Sequence, residues 1–361
     1  MRVLLTHERF APEFAGGGEY TALEIARNLT AQGIEVRVLT TGDPRIDAYE
    51  GIRTVRLPIH RYRFNLAARH IERMARDVDL IHTFNYQACL PSLRAGRRAG
   101  KPVVCMTLGL FRDAWKAMRG PIMGRVWMAW EKFLLTRPYD KIVFPSDYSR
   151  AYGLEMGIDP DRTLVNPPGI DLAKYGPADP KDDVILFVGK LDVRKGIHEV
   201  LAAARDLPEA RFRIMGWGTQ EQAFRRQALP NVTFIPFERG QRLQAAFAHA
   251  RIFLLPSQAE TFGIALVEAM ASGCAIISTV PLTYEGVRLP LGTKDEIVSA
   301  VRSLWPNREL TERMGRRNVA LAQAYTWERH AKMLVSLYHD LVSGSPSPQL
   351  KPDCGGSGSH L

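Results

Sequence analysis

Apolar and polar positions alternate in a regular way over the first 40 residues. Residues 2–6 form one short apolar run and residues 34–40 form a second. Between them, Leu23, Ala26 and Leu29 recur at helical spacing over residues 19–32, and a glycine follows. A strand, a helix and another strand in this order predict the opening unit of a parallel, doubly wound sheet.

The pattern continues and then restarts after a polar stretch at residues 171–182. Before the stretch, the apolar runs predict strands at residues 80–83, 102–107 and 141–145. After it, they predict strands at residues 183–188, 210–215, 232–235, 252–255 and 275–278, and helices at residues 197–206, 241–250 and 264–271. Two consecutive α/β blocks predict two doubly wound, Rossmann-like domains with a ligand cleft at the carboxyl ends of their strands.

The C-terminal region divides into a helix and a tail. Residues 326–341 are amphipathic and predict a helix, whereas residues 343–361 are rich in Ser, Pro and Gly and are expected to be disordered.

Composition restricts the class of protein. No run of about 18 uncharged apolar residues occurs, so no membrane span is expected. The chain turns polar after its sixth residue, which does not suit a signal peptide. The cysteines show neither CxxC nor disulfide-like spacing, which favours a reducing compartment. We therefore predict a cytoplasmic protein.

The charge is unevenly distributed. The net charge is +10, and residues 1–150 hold 24 Lys and Arg against 15 Asp and Glu, whereas residues 151–361 hold 24 against 23. Residues 113–135 interleave aromatic and basic side chains, and residues 61–76 contain five arginines. These features suit an anionic membrane surface or substrate. They are also typical of helices that pack one face on the sheet and expose basic side chains to solvent on the other face. Both interpretations remain open. No nucleic-acid motif accompanies the charge, so no nucleic-acid partner is expected.

Two glycine-containing segments are candidate phosphate sites. Gly16, Gly17 and Gly18 precede the first helix, where backbone N–H groups can approach an anion. The segment lacks the GxGxxG spacing of nicotinamide sites and can equally be a plain turn. Lys190, Arg194 and Lys195 precede another helix. Cations there oppose the helix dipole unless an anion lies between them, although an exposed basic loop is the alternative.

A third segment combines two carboxylates with an apolar helix. Glu268 lies within the helix predicted at residues 264–271, and Glu260 lies in the preceding loop. A buried carboxylate needs hydrogen-bond donors, which the hydroxyls of a ribose or the backbone N–H groups of the protein can supply.

Together these segments resemble the retaining glycosyltransferases of family 4, which have the GT-B fold. The resemblance covers residues 1–342 and rests on Gly17-Gly18-Glu19, Pro168-Gly169-Ile170-Asp171, Gly189-Lys190…Lys195-Gly196, Gly216-Trp217-Gly218 and Glu260-x7-Glu268-Ala-Met-Ala-Ser-Gly273.

The resemblance implies roles for these residues. Lys190 and Lys195 would hold the diphosphate of a nucleoside diphosphate-sugar, with Glu260 near the donor sugar and Glu268 on the ribose. These three groups nearest the reaction, Lys190, Lys195 and Glu260, are the catalytic candidates. The remaining donor-binding candidates are Gly17, Gly18, Gly216, Thr261, Phe262 and Gly263.

The resemblance also implies the reaction: front-face transfer of a hexose with retention, in which the leaving diphosphate helps to deprotonate the acceptor. Helix dipoles and cations would replace a metal, so neither a metal nor another cofactor is expected.

The acceptor side departs from the family pattern. Its candidates are Glu19, His82 and Asn85, but Leu108 stands where many relatives carry a histidine. His82 ends an apolar strand and can instead be a packed side chain. The acceptor is expected to be a glycan or a lipid-linked or anionic group, reached from the inner face of a membrane.

The predicted domains are residues 1–172, which bind the acceptor and carry the returning helix at residues 326–342, and residues 173–325, which bind the sugar nucleotide. Two alternatives remain: a sugar-nucleotide-binding partner with weak catalysis, and a sugar-nucleotide epimerase on the same scaffold. A phosphorylase would need a lysine-bound pyridoxal phosphate, for which the sequence has no signature.

Overall fold

The computed structural model describes residues 1–13, 16–218, 220–227 and 229–344, whose strands form two sheets. The strands of the first sheet are β1 (Arg2–Thr6), β2 (Glu35–Thr41), β3 (Ala48–Tyr49), β4 (Ile52–Leu57), β5 (Leu80–Phe84), β6 (Val103–Met106), β7 (Lys141–Phe144) and β8 (Thr163–Val165). Their order is β3-β4-β2-β1-β5-β6-β7-β8, and all neighbours are parallel except β3 and β4.

The strands of the second sheet are all parallel. They are β9 (Asp182–Lys190), β10 (Phe212–Trp217), β11 (Val232–Pro236), β12 (Ala250–Leu255), β13 (Ala275–Ser278) and β14 (Gly286–Arg288), in the order β11-β10-β9-β12-β13-β14. Every residue of β12 is buried, because helices cover both faces of the sheet. This burial explains the continuous apolar runs in the sequence. The expectation of two doubly wound domains is confirmed.

Helices connect the strands of each sheet. In the first part of the chain they are α1 (Gly17–Ala31), α2 (Ala68–Ala75), α3 (Cys89–Ala99), α4 (Ala114–Arg119), α5 (Pro121–Leu135) and α6 (Asp147–Glu155). In the second part they are α7 (Ile197–Arg205), α8 (Glu221–Arg225), α9 (Gln241–His249), α10 (Ile264–Ala271), α11 (Lys294–Leu304), α12 (Arg308–Ala322) and α13 (Trp327–Ser343). Short 3₁₀ turns occupy Arg61–Ala67, Pro160–Arg162, Leu172–Lys174 and Val193–Lys195.

The last helix packs on the first domain. The side chains of Trp327, Leu334 and Tyr338 join the buried cluster of β1, β2 and β5, and α13 contacts α1. The sequence predicts that this helix ends at residue 341 or 342 and that a disordered tail begins at residue 343. In the structure the helix extends to Ser343 and Gly344 caps it. The rest of the predicted tail lies outside the described residues. Among the described helices, none combines the length and apolar character needed to cross a bilayer.

The two chain crossings between the domains lie side by side. The backbone N–H of Ile170 donates to the carbonyl of Tyr325 at 3.0 Å, and Ile170 pairs with Thr326 in an isolated bridge. A Cβ on Gly169 would overlap the backbone of Trp327, so only glycine fits at this crossing. The outgoing and returning segments are therefore packed directly against each other.

Candidate functional site

A cleft of about 400 Å³ lies between the carboxyl ends of the two sheets. Each sheet changes direction there: β1 separates β2 from β5, and β9 separates β10 from β12. The carboxyl ends at such a switch point leave a crevice in which α/β proteins bind ligands. The predicted residues that line the cleft are Gly17, Gly18, Lys190, Lys195, Glu260, Thr261, Phe262, Gly263 and Glu268.

The glycine loop supplies the wall from the first domain. Gly16 is the N-cap of α1 and has extended backbone, with no side chain to occupy the free N–H groups of the first helical turn. A Cβ on Gly17 would meet no atom within 4 Å, whereas one on Gly18 would lie 3.4 Å from Leu108. Gly17 therefore leaves open space at a helix N-terminus, where anions are stabilised.

The opposite wall carries the cations. Lys190 ends β9 with an exposed side chain that makes no ion pair with a described carboxylate. Lys195 is largely buried and its ammonium is paired with the carboxylate of Glu260. Arg194 is paired with Asp192 at 2.6 Å and its guanidinium lies 5.1 Å from the ring centroid of Phe111.

The loop before α10 connects the two domains at the floor of the cleft. The hydroxyl of Thr261 donates to the carbonyl of Leu108 at 3.2 Å, and the hydroxyl of Ser146 donates to the carbonyl of Thr261 at 2.7 Å. Gly263 caps α10 with φ of +86°, a left-handed conformation that favours glycine. The cap leaves the N-terminus of α10 facing the cleft without a capping side chain.

Glu268 is a buried carboxylate with one hydrogen-bond partner among the described residues. Its Oε1 accepts a hydrogen bond of 2.6 Å from the hydroxyl of Tyr175. Burial raises the pKa of Glu268, and the bond from Tyr175 partly opposes that shift. Because Glu268 also lines the cleft, its carboxylate is available to a donor on a ligand.

Gly216 does not line the cleft, contrary to the prediction that it binds the donor. A Cβ there would overlap the carbonyl of Gly189 and lie 2.6 Å from Leu191, so this glycine allows two strand ends to pack closely. The adjacent Trp217 lines the cleft instead, with its ring centroid 4.1 Å from that of Phe237. In the sequence, the one indication of this aromatic pair is the position of Trp217 between Gly216 and Gly218.

Two of the three acceptor-side candidates are buried and do not line the cleft. Glu19 is buried on α1, with its carboxylate 3.7 Å from where a Cβ of Gly16 would lie, and does not line the cleft. His82 is fully buried beneath α13, where its Nδ1 is hydrogen-bonded to the hydroxyl of Tyr338. The prediction that His82 faces the acceptor is wrong, because α13 covers it, and Glu19 is buried outside the cleft lining.

Asn85 acts on the cleft through its neighbours. Its Nδ2 donates to the carbonyl of Gly109 at 2.6 Å, and its Oδ1 accepts from the N–H of Leu108 at 2.8 Å. Both partners line the cleft, whereas Asn85 itself does not. It positions the wall rather than forming it.

Glu131 on α5 is a site residue that the sequence did not reveal. Its carboxylate is fully buried and accepts four hydrogen bonds of 2.6–3.1 Å, from the hydroxyl of Tyr86, the backbone N–H groups of Phe111 and Arg112, and Nε1 of Trp115. These bonds fix the segment after β6 that lines the cleft. Glu131 is the one acid within the aromatic and basic sequence of residues 121–135, and that was the available signal.

Two buried histidines make stability depend on pH. Burial, reinforced by nearby His330, lowers the pKa of His82 to about 3, and burial lowers the pKa of His330 to about 4. Both pKa values are depressed by folding, so the unfolded chain takes up more protons as the pH falls below about 6.5. We expect these two groups to reduce the free energy of unfolding by about 3 kcal/mol between pH 6.5 and pH 5.

Urea unfolding at the two pH values measures this loss. His330→Asn keeps a donor for the carbonyl of Pro167 and should remove roughly half of the loss. His339→Asn, at an exposed position of the same helix, is the matched control and should leave the loss unchanged. Equal pH dependence in all three proteins would contradict the assignment.

Family models match both halves of the chain. The model described as Glycosyltransferase Family 4 matches residues 15–174, and the model described as Glycosyl transferases group 1 matches residues 172–318. Together they span most of the chain.

The curated relatives include a D-inositol 3-phosphate glycosyltransferase of Segniliparus rotundus, 27% identical over 52% of this chain and 49% of the relative. This match thus spans about half the length of the relative. A phosphatidyl-myo-inositol mannosyltransferase of Mycobacterium leprae is 24% identical over 93% of this chain and 96% of the relative.

Solved structures share the fold. Sucrose-phosphate synthase from Thermosynechococcus elongatus has a TM-score of 0.81 at 21% identity, covering 95% of this chain and 100% of the other. Anabaena HepE in complex with UDP-glucose has a TM-score of 0.76 at 18% identity, covering 94% and 100%.

Two parallel-sheet domains with a cleft between their switch points define the GT-B class, and the expected fold is confirmed. With both halves matched by the family models, the chain belongs to glycosyltransferase family 4.

Proposed function

We propose that this protein transfers a sugar from a nucleoside diphosphate-sugar to an acceptor hydroxyl, with retention of anomeric configuration and without a metal. The observation that carries the proposal is the convergence of two uncapped helix N-termini, those of α1 and α10, with Lys190 and Lys195 in one cleft. Backbone N–H groups and cations arranged in this way stabilise a diphosphate.

The same groups support the chemistry of the leaving diphosphate. As the bond from the sugar to the diphosphate breaks, negative charge grows on the phosphate oxygens, and fixed positive charge at those oxygens lowers the barrier. Lys190 can turn to the diphosphate because it has no carboxylate partner among the described residues. In front-face transfer, a diphosphate oxygen takes the proton of the acceptor hydroxyl as that hydroxyl attacks the sugar.

Glu268 and the aromatic pair suit the nucleoside part of the donor. Oε1 of Glu268 accepts from Tyr175, so Oε2 can accept from a ribose hydroxyl. Trp217 and Phe237 offer half-buried ring surfaces beside the cleft, and the exposed guanidinium of Arg239 lies 5.7 Å from the ring centroid of Phe237. Aromatic rings and guanidinium groups stack readily on nucleobases.

The positive excess of the first half has a separate role. The cleft cations Lys190, Arg194, Lys195 and Arg239 all come from the second half, so that excess does not serve the donor site. Part of it lies on and next to α5, whose exposed apolar side chains are Ile122, Met123, Val126, Trp130 and Phe133. Exposed cations around them include Arg119, Arg125 and Lys132. Apolar and basic side chains on one helix suit an anionic membrane, from which a lipid-linked acceptor is reached.

The decisive experiment screens donors. The purified protein is first tested by thermal shift against uridine, guanosine and adenosine diphosphates, and then incubated with the matching sugar nucleotides. We expect one nucleoside diphosphate to bind and the matching sugar nucleotide to lose its sugar. When the sugar is transferred to an acceptor, NMR of the product should show that its anomeric configuration is retained. The reaction should proceed equally in EDTA. Tight binding without turnover on any acceptor would favour the binding partner, and conversion of the sugar on intact nucleotide would favour the epimerase.

Gly17→Ala tests the diphosphate position. Because a Cβ at Gly17 meets no protein atom, the variant should keep or slightly gain stability, by up to about 1 kcal/mol from helix propensity. The added methyl group stands where the diphosphate is expected, so the KM for the donor should rise roughly 10-fold or more. Gly176→Ala, whose Cβ also meets nothing, is the control outside the cleft and should leave KM unchanged.

Sedimentation with vesicles tests the membrane surface. Wild type should sediment with vesicles rich in phosphatidylglycerol at low salt, and the bound fraction should fall at high salt as the charges are screened. Replacing Ile122 and Val126 by serine should reduce binding, whereas Leu291→Ser, at an exposed leucine of the second domain, should not. Binding that is absent, or insensitive to salt, would remove the membrane surface from the proposal.

A further inference from the structure

A second cavity of about 250 Å³ adjoins the cleft. The two share the wall residues Leu110, Phe111, Ala259 and Glu260. Because Glu260 is expected beside the donor sugar, a molecule in the second cavity would lie next to the transferred group. The cavity is also lined by Arg112, Asp113, Tyr148, Tyr152 and Gln258.

Arg112 is held in an unusual backbone conformation. Its φ is +43°, in the left-handed region that a residue with a side chain rarely adopts. The conformation is maintained because the buried carboxylate of Glu131 accepts a hydrogen bond from its N–H at 3.1 Å. Backbone strain supported in this way is typical of functional positions, where it directs one side chain.

The side chain of Arg112 is directed along the cavity wall. Its guanidinium lies 4.0 Å from the ring centroid of Tyr152, and its Nη2 is 2.8 Å from the carboxylate of Glu155. Among the described residues, the guanidinium has one hydrogen-bond partner, Glu155, which accepts from Nη2. The N–H groups of Nε and Nη1 can therefore donate to a ligand. The other wall acids are paired: Asp113 with Lys116 at 2.6 Å, and Glu260 with Lys195.

Tyr148 provides an independent indication of a ligand. Its hydroxyl is buried and has no hydrogen-bond partner among the described residues, although Tyr148 lines the cavity. A buried hydroxyl without a partner costs about 1–3 kcal/mol, a cost that a bound acceptor atom would remove. The guanidinium of Arg112 and the unpartnered hydroxyl of Tyr148 can both donate hydrogen bonds, and the oxygens of a phosphate can accept them.

We propose that the second cavity binds a phosphate ester group of the acceptor, with Arg112 as its ionic partner and Tyr148 as a hydrogen-bond donor. The inference rests on the proposed function and specifies the acceptor class of that site. The phosphate can belong to a soluble phosphorylated polyol or to a lipid headgroup, since both present the same anionic oxygens.

Calorimetry in the presence of saturating nucleoside diphosphate tests the soluble source, because the donor's phosphate site is then filled. Glycerol 3-phosphate should bind to wild type and glycerol should not. Arg112→Gln should weaken glycerol 3-phosphate binding roughly 10- to 100-fold, the loss expected for a charge-assisted bond. Arg112→Lys should recover part of it. Tyr148→Phe, which removes only the unpartnered hydroxyl, should weaken it several-fold.

Vesicles test the lipid source. Vesicles of phosphatidylinositol in phosphatidylcholine are compared with phosphatidylcholine alone, for wild type and Arg112→Gln. A dependence on Arg112 that occurs only with phosphatidylinositol identifies a lipid headgroup as the source and supports the inference.

Different results would overturn the proposed function and the phosphate subsite. If no nucleoside diphosphate binds and no sugar nucleotide turns over, the proposed function fails. If both occur, but Arg112→Gln and Tyr148→Phe bind glycerol 3-phosphate and phosphatidylinositol vesicles as wild type does, only the phosphate subsite is overturned. Unchanged nucleoside diphosphate affinity in both variants shows that they are folded.

Discussion

Replacing Lys190 by methionine is expected to lower kcat/KM for transfer about 100- to 1,000-fold, the loss typical when one preorganised positive group is removed from a transition state. The free energy of unfolding should change by no more than about 0.5 kcal/mol, because the side chain is exposed and forms no ion pair with a described carboxylate. Initial rates with saturating and limiting donor, together with urea unfolding, measure the two quantities.

The comparison with Lys195 separates binding from packing. Lys195→Met should lose a similar factor in kcat/KM, but it should also destabilise the fold, since Glu260 is then left largely buried without its partner. Lys332→Met removes an exposed lysine of α13 that is paired with Glu328, and it should change neither activity nor stability appreciably. Activity of Lys190→Met within a few-fold of wild type would exclude Lys190 from the leaving-group site.

Glu131→Ala is expected to produce the largest loss of stability, about 3–5 kcal/mol. The substitution removes the shared acceptor of four donors, and each donor left buried without a partner costs about 1–3 kcal/mol, less whatever water or neighbouring groups recover. Glu131→Gln should lose less stability, because the amide oxygen of glutamine can still accept the three hydrogen bonds now made to Oε2. The NH₂ group of the glutamine would then face the N–H of Arg112, so the fourth bond is lost. Urea unfolding measures the difference.

The same variants should affect activity through the loop. Release of Phe111 and Arg112 from Glu131 loosens the wall shared by the cleft and the second cavity, so turnover should fall even in the folded fraction. Glu72→Ala, which removes a half-buried acid of the first domain that is paired with Arg98, is the control for the loss of one charge. If Glu131→Ala unfolds at the same urea concentration as Glu72→Ala, the four hydrogen bonds do not stabilise the fold as argued.

Much of the fold could be predicted because its signals are local. The strands of parallel sheets are buried on both faces, so β9 and β12 appear in the sequence as apolar runs. Strand β4 was missed because its residues alternate between buried and exposed and include two arginines, of which Arg56 is buried. That arginine is satisfied by backbone carbonyls far away in sequence, among them those of Ile46 and Ala11.

The candidate site was predictable to the extent that its residues lie at element ends. Lys190 ends a strand and Gly17 begins a helix, and both reach the cleft by their position in the chain. The placement of His82, Gly216 and Glu131 depends instead on contacts between distant segments. His82 lies in the middle of β5, and the α13 helix, 256 residues away at Tyr338, covers it. No local pattern contains that information.

The position of α13 has a consequence for the order in which the chain can fold during synthesis. The strands β9–β14 of the second sheet and the helices between them are complete before residue 327 leaves the ribosome, whereas the first domain waits for that helix to cover His82 and the cluster around Trp327. The domain synthesised first is thus the one finished last. Until then its exposed apolar surface is a target for chaperones, while the second domain is already able to bury its core.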